Sequence, residues 1–387
     1  MNFDESDTIT ELRAVLGRFM EKEMPRELAK DWDRRNHFPR DVFDKLASLG
    51  VMGLTVPEEY GGAGRDIIAT MAVIEELSRR SLAVSCPYMM CTCYGGMNIE
   101  ECGTEEQKRE YLPKLAAGKM MFAYGLTEPD AGADLASVRT VAVRRGDRII
   151  VNGAKRFCSG AGICDFIYTL VRTGPEAERH RNLTFLLIPP TAPGVIIEQI
   201  DAMGMKGVPT TDVTFNDVEI PAGNIVGGDK GWNRGWPMLV GPGLEVEKIE
   251  CAAIAVGIAR AALDDAWAYS LERKQFGKSI ASYQSIQHKL AEMKTQLHAA
   301  RLTLYHAAWL ANERRNCAVE SSMAKLFATE AAKAIALECQ TIMGAYGYVK
   351  EFAAERYVRD ALVMPILGGS SAIQRNNIYK LTAALQR

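Results

Sequence analysis

Val138-Arg139-Thr140-Val141-Ala142-Val143, Arg148-Ile149-Ile150-Val151, Phe166-Ile167-Tyr168-Thr169-Leu170-Val171, Leu183-Thr184-Phe185-Leu186-Leu187-Ile188 and Asp212-Val213-Thr214-Phe215 are short runs rich in β-branched and aromatic residues. Turn signals separate them: Arg145-Gly146-Asp147, Asn152-Gly153, Pro189-Pro190 and Pro193-Gly194. Strands at such close spacing predict an antiparallel sandwich or barrel. The sequence on either side reads differently.

Upstream, Ile9, Leu12, Val15, Leu16, Phe19 and Met20 recur at helical spacing, predicting one helix from Asp7 to Trp32. A second is expected over Pro39–Leu49, capped by Gly50, and a third over about Asp66–Arg79. Thr104 and Gln107 form a capping box that opens a short helix ending at Gly118. Downstream, Gly227 to Gly243 holds six Gly and two Pro, the best linker candidate. Beyond it, apolar stripes at Ile249–Leu271, Ile286–Leu304 and Met323–Met343, with a last helix after Ser370, fit a four-helix bundle. The expectation is an α+β multidomain chain: an N-terminal helical domain (1–120), a middle antiparallel β-domain (121–235) and a C-terminal four-helix bundle (236–387).

The 387 residues are 48% hydrophobic and 24% charged, the balance of a globular protein able to bury its own core. A net charge of −2 argues against a nucleic-acid partner. No apolar run approaches the ~20 residues of a membrane span, and the acidic N-terminus does not read as a signal peptide. Nine Cys, mostly inside apolar runs, read as buried thiols in a reducing compartment. A cytoplasmic protein is expected, in the bacterial cytosol or an organelle matrix. Cys86, Cys91, Cys93 and Cys102 lack the spacing of a zinc site, and no metal is expected. The chain contains no G-x-G-x-x-G, no phosphate-binding P-loop, no H-E-x-x-H and no G-x-S-x-G.

Four other segments carry information together: Leu126-Thr127-Glu128-Pro129-Asp130-Ala131-Gly132-Ala133-Asp134, Asn152-Gly153-Ala154-Lys155-Arg156-Phe157, Glu272-Arg273-Lys274-Gln275-Phe276-Gly277-Lys278 and Gly368-Gly369-Ser370-Ser371-Ala372-Ile373-Gln374-Arg375. In order and separation they resemble the acyl-CoA dehydrogenase family of flavoproteins, over essentially the whole chain. The resemblance implies FAD held without a Rossmann fingerprint, in the cleft between middle domain and bundle, and a homotetramer in which a neighbouring subunit completes the site. It implies an acyl-CoA substrate (or an acyl group on a carrier protein), an electron-transferring flavoprotein as redox partner, and a role in fatty acid or amino acid catabolism. Running as an enoyl-CoA reductase, or as a desulfinase-like lyase with an idle flavin, are the alternatives. A non-catalytic helical binding protein is the reading from another class.

By the same resemblance, Tyr124, Leu126, Thr127, Phe157 and Ser159 meet the flavin. Arg273, Phe276, Gln284 and Gly344 serve the pyrophosphate and adenine side, and Ser370 and Ser371 complete the cofactor set. Ala133 stands where the family usually has Ser. With Lys248 and Gly369 it is expected to contact substrate. A planar guanidinium such as that of Arg273 suits a pyrophosphate because it donates two hydrogen bonds to one anion. Without the resemblance, Phe157 reads as a core aromatic and the Glu272-Arg273-Lys274 run as a solvated helix end.

The family reaction removes the α-proton of a thioester and passes the β-hydrogen as hydride to flavin N5, so a positioned carboxylate is needed. Most members carry that Glu at the position of Gly368. Here Gly368 can offer only its backbone N–H to the thioester oxygen. Isovaleryl-CoA and long-chain acyl-CoA dehydrogenases resemble a different arrangement, with the Glu near the start of the first bundle helix, which corresponds to Glu247. Glu245, about 200° away on a helix, and Glu250, nearly one turn on, are its competitors. A Glu buried against flavin and thioester should have a raised pKa. The missing side chain at 368 is read as room beside the α-carbon for a branched, cyclic or bulky acyl group.

Overall fold

Pro25 breaks the N-terminal apolar stripe, so the long helix expected from Asp7 to Trp32 is two: α1 (Asp7–Glu23) and α2 (Arg26–Arg35). The periodicity continues across the break, but a proline in mid-helix removes a backbone hydrogen bond. The computed structural model describes residues 4–385. It continues with α3 (Arg40–Ala47), followed by Gly50 at φ 78°, and α4 (Ile67–Arg80), capped by Asp66. Next come α5 (Leu82–Met89), a π-helical stretch over Met90–Met97, α6 (Asn98–Cys102) and α7 (Glu105–Ala116). Thr104 and Gln107 close the expected capping box on α7.

The strands are β1 (Phe122–Gly125), β2 (Val141–Arg145), β3 (Arg148–Lys155), β4 (Phe166–Arg172), β5 (Leu183–Ile188), β6 (Val195–Gln199) and β7 (Thr211–Pro221). They form one sheet in the order β1-β4-β2-β3-β7-β6, with β5 also on β4. The expected antiparallel sheet is in fact mixed: β1 and β2 both run parallel to β4. β1 enters from the helical segment and reaches β4 only after the β2–β3 hairpin, and such long connections are what permit parallel pairing.

The chain then runs through α8 (Gly235–Leu239), α9 (Pro242–Glu272), the short hairpin β8 (Lys274–Gln275) and β9 (Lys278–Ser279), α10 (Gln284–Asn312), α11 (Ala318–Met343), α12 (Ala345–Tyr348), α13 (Ala354–Val363) and α14 (Ser371–Leu385). Helices α9, α10, α11 and α14 pack as the C-terminal bundle, and α4 lies across α9. Gly257 makes that crossing close: a Cβ there would meet the Glu75 carbonyl at 2.5 Å. The core is continuous from the N-terminal helices through the sheet into the bundle. All nine cysteines are free thiols, and only Cys102 is not fully buried. No described helix is long and apolar enough to cross a membrane.

Candidate active site

Pro242 starts α9, which places Glu247 in its second turn. Glu247 is half-buried, with charged and polar neighbours on α9 itself, the π-helical stretch, β1 and α11. Tyr94, Tyr124, Cys251 and Lys325 lie within its electrostatic range. Burial pushes its pKa up to about 7, against the opposing pull of Lys248 and Lys325. The ring of Tyr94 stacks on that of Tyr124 with centroids 3.8 Å apart, and Asn98 Nδ2 donates to the Tyr124 hydroxyl. Burial and then Glu247 raise both phenols well above their usual range.

Cys251 connects this group to Gly368. The glycine has φ 59°, and a Cβ built on it would sit 2.8 Å from Cys251 Sγ, one turn after Glu247. The room expected from the missing side chain is therefore taken on that side by Cys251. Lys325, with no exposed surface, donates from Nζ to the Gly369 carbonyl at 2.7 Å and fixes the Gly-Gly turn. Ser370 Oγ accepts from the Ile373 N–H at 3.4 Å, and Ser371 Oγ donates to Glu330 Oε1 at 2.7 Å.

Glu245 points elsewhere, as a 200° offset requires. It pairs with Lys248 Nζ at 2.8 Å and accepts from Ser321 Oγ. Lys248 is buried, and its ammonium also reaches Ser322 Oγ at 3.3 Å. The structure thus places Lys248 against α11, apart from the Tyr94–Tyr124 side of Glu247. Glu250 is fully buried.

A buried ion pair shapes the loop after β1. Lys155 Nζ meets Glu128 Oε1 at 2.8 Å and the Leu126 carbonyl at 3.2 Å. Glu128 also accepts from the backbone N–H groups of Arg139 and Thr140. Burial raises the Glu128 carboxyl, but Lys155 and these N–H groups outweigh it and hold the pKa below the usual range. Burial brings Lys155 down to about 8. Thr127 is fixed between these anchors, its carbonyl accepting from Arg156 N–H at 2.8 Å. Phe157 has φ 57° and is 57% exposed, with the Arg156 guanidinium 5.0 Å from its ring centroid. Ser159 Oγ lies 3.4 Å from Thr210 Oγ1. Ala133 is exposed next to the Asp134–Arg179 ion pair.

The remaining predicted residues lie at the far end of α9, about 38 Å from Glu247 by helix rise. Arg273 is exposed with its guanidinium over the Tyr346 ring, Phe276 is 94% exposed at φ 52°, and Gln284 and Gly344 are beside them in sequence or fold. The chemistry of each cluster fits part of an FAD: an uncovered aromatic, Phe157, and polar loop atoms near Glu247; an uncovered aromatic and a guanidinium at the other end.

Sequence reasoning missed Lys325, Asn98 and a cleft of roughly 1320 Å³ at the head of α9. Arg65, Lys230, Arg234, Arg314 and Arg315 line that cleft together with the carboxylates of Glu100, Glu101, Asp229 and Glu245, and Arg65 pairs with Glu101 and Arg314 with Glu100. The adjacent Arg314-Arg315 between two helices was the available signal.

Comparison with known proteins gives the family. The acyl-CoA dehydrogenase N-terminal, middle and C-terminal domains match residues 6–119, 123–218 and 233–382. An acyl-CoA dehydrogenase of Bacillus subtilis is 38% identical over 370 residues, 95% of this chain and 96% of its own. A caffeyl-CoA reductase–Etf complex subunit of Acetobacterium woodii is 34% identical over 97% of both chains. The butyryl-CoA dehydrogenase of Megasphaera elsdenii superposes with a TM-score of 0.93 at 32% identity, covering 100% of each chain. The chain belongs to the acyl-CoA dehydrogenase family and is an oxidoreductase of that family.

Proposed function

We propose that the protein carries out α,β-dehydrogenation of an acyl-CoA thioester, with Glu247 as the base that removes the α-proton. The observation that carries this is the Glu247 carboxyl itself: half-buried in the second turn of α9, raised to about 7 by desolvation, and sharing Cys251 as a neighbour with Gly368. At that value it is both available as carboxylate near neutral pH and basic enough to take a proton. The Gly368 N–H serves as a donor to the thioester oxygen as charge develops there, and Lys325 holds the turn that presents it.

FAD supplies the acceptor for the β-hydride when bound. Tyr124, Leu126, Thr127, Phe157 and Ser159 hold its ring system, with Ser370 and Ser371 at the edge of the site. Arg273, Phe276, Gln284 and Gly344 serve the cofactor of another subunit, which the separation along α9 supports and a homotetramer would supply. In the cleft at the head of α9, Lys230, Arg234 and Arg315 are the cations that would receive the phosphates of CoA, with Ala133 and Gly369 along the substrate path. Lys248 acts by holding Glu245 and α11 rather than by touching substrate.

Since Cys251 fills the space beside Gly368, support for a bulky acyl group rests on the caffeyl-CoA relative. That relative also favours a second reading, reduction of an enoyl-CoA, and its Etf complex supports an electron-transferring flavoprotein as partner. The division at about 120 and 235 and a cytoplasmic setting complete the proposal. Anaerobic titration of the purified holoenzyme with straight, branched and aryl acyl-CoAs tests it: flavin absorbance bleaches with at least one. No bleaching across the panel refutes dehydrogenation.

A further inference from the structure

Three residues after Glu247, on the same side of α9, stands a second carboxyl that the proton transfer does not use. Glu250 has no exposed surface, and neither Oε1 nor Oε2 has a hydrogen-bond partner among the described residues. Buried polar groups are almost always satisfied, because a lone one loses its hydration without recompense. No cation compensates it; burial alone drives its pKa well above the ordinary carboxyl value. A helix position that faces α5 and the core is normally apolar, as Ile249, Ala253 and Ile254 are around it.

Its surroundings connect it to the active site. Cys86 of α5 lies within electrostatic range of Glu250, Cys251 and Tyr94. Cys251 in turn lies within electrostatic range of both Glu247 and Glu250, and its Sγ is 2.8 Å from where a Cβ on Gly368 would stand. Tyr88 is a further neighbour of Glu250. Two thiols, Cys86 and Cys251, thus stand in the neighbourhood that joins Glu247 to the unpartnered carboxyl of Glu250. On a helix, residues i and i+3 hold their Cβ atoms about 5–6 Å apart.

We propose that Glu250 is a substrate-binding residue, its carboxyl receiving a hydrogen-bond donor, hydroxyl or amine, carried by the acyl chain about three to five bonds beyond the α-carbon. The inference rests on the dehydrogenase reading and names its substrate class: acyl groups with a polar distal end. A site built around a buried carboxyl discriminates strongly against an analogue that leaves it unpaired.

The test compares 5-hydroxypentanoyl-CoA, 5-aminopentanoyl-CoA and hexanoyl-CoA, three chains of equal length ending in O, N or C, by anaerobic flavin bleaching of the holoenzyme. At least one polar chain is expected to exceed hexanoyl-CoA by tenfold or more in kcat/KM. Glu250→Leu is expected to reverse that order. Glu250→Gln, close in shape, retains the hydroxyl preference and loses any amine preference. Hexanoyl-CoA equal to or better than both polar chains in the unmodified enzyme overturns the inference while leaving the dehydrogenase reading intact. So does a Glu250→Leu enzyme that keeps the polar preference. Failure of every acyl-CoA, polar or apolar, to bleach the flavin removes the dehydrogenase reading and this inference with it.

Discussion

Replacing Glu247 by Gln keeps the shape of the side chain and removes the only function assigned to it. Flavin content should be unchanged, because no cofactor contact is lost. General-base catalysis contributes typically about 10²–10⁴ in rate, so the first-order bleaching of flavin by acyl-CoA should slow by that factor. The pH profile of the unmodified enzyme gives a second, independent magnitude. With the carboxyl at about 7, the ionised fraction is about one tenth at pH 6, half at pH 7 and nine tenths at pH 8. The bleaching rate should therefore rise about tenfold between pH 6 and pH 8 and then level. An ordinary glutamate, titrating near about 4.3, would be ionised throughout and give a flat profile. Anaerobic stopped-flow spectroscopy at saturating acyl-CoA measures both. A Gln variant that bleaches at the unmodified rate refutes the assignment of the base; a flat profile refutes its burial.

Lys325→Met removes a cation near Glu247 and the donor to the Gly369 carbonyl. The carboxylate loses support, so the midpoint of the bleaching profile should move up, by as much as about one unit; a downward move contradicts the geometry. Gly368→Ala forces a left-handed residue and a 2.8 Å approach to Cys251 Sγ. It should cost about 1–2 kcal/mol from the backbone alone, seen as a lower thermal midpoint that Cys251→Ala partly restores. Lys155→Met leaves Glu128 buried without its counter-ion, and the loss should be about 3–5 kcal/mol in denaturant unfolding. Arg273→Ala should weaken FAD retention by about 10–100-fold if its guanidinium holds a pyrophosphate, measured as the flavin-to-protein ratio after gel filtration; full retention argues against that role.

What could be read from the sequence depended on whether a residue's partner lies nearby in the chain. β5 is found at its observed bounds because six consecutive buried residues leave no other reading. β1, only four residues long, and β6, whose pattern sits between a Pro-Gly turn and a loop, are too short to stand out. The helix break at Pro25 was legible as chemistry and was overridden by periodicity. The pairing of Lys248 with Glu245 was equally available, since opposite charges three residues apart on a helix meet. It explains why the Lys248 ammonium reaches Ser322 of α11. Glu250 is the contrary case. Its spacing from Glu247 was readable, but the fact that matters is what does not touch it. That depends on α5, more than 160 residues away in the chain. A carboxyl placed where neither its own helix nor the facing one offers a donor is stable only at a cost of about 1–3 kcal/mol, and a fold that tolerates the cost three residues from the proposed base is most simply explained by a ligand that removes it.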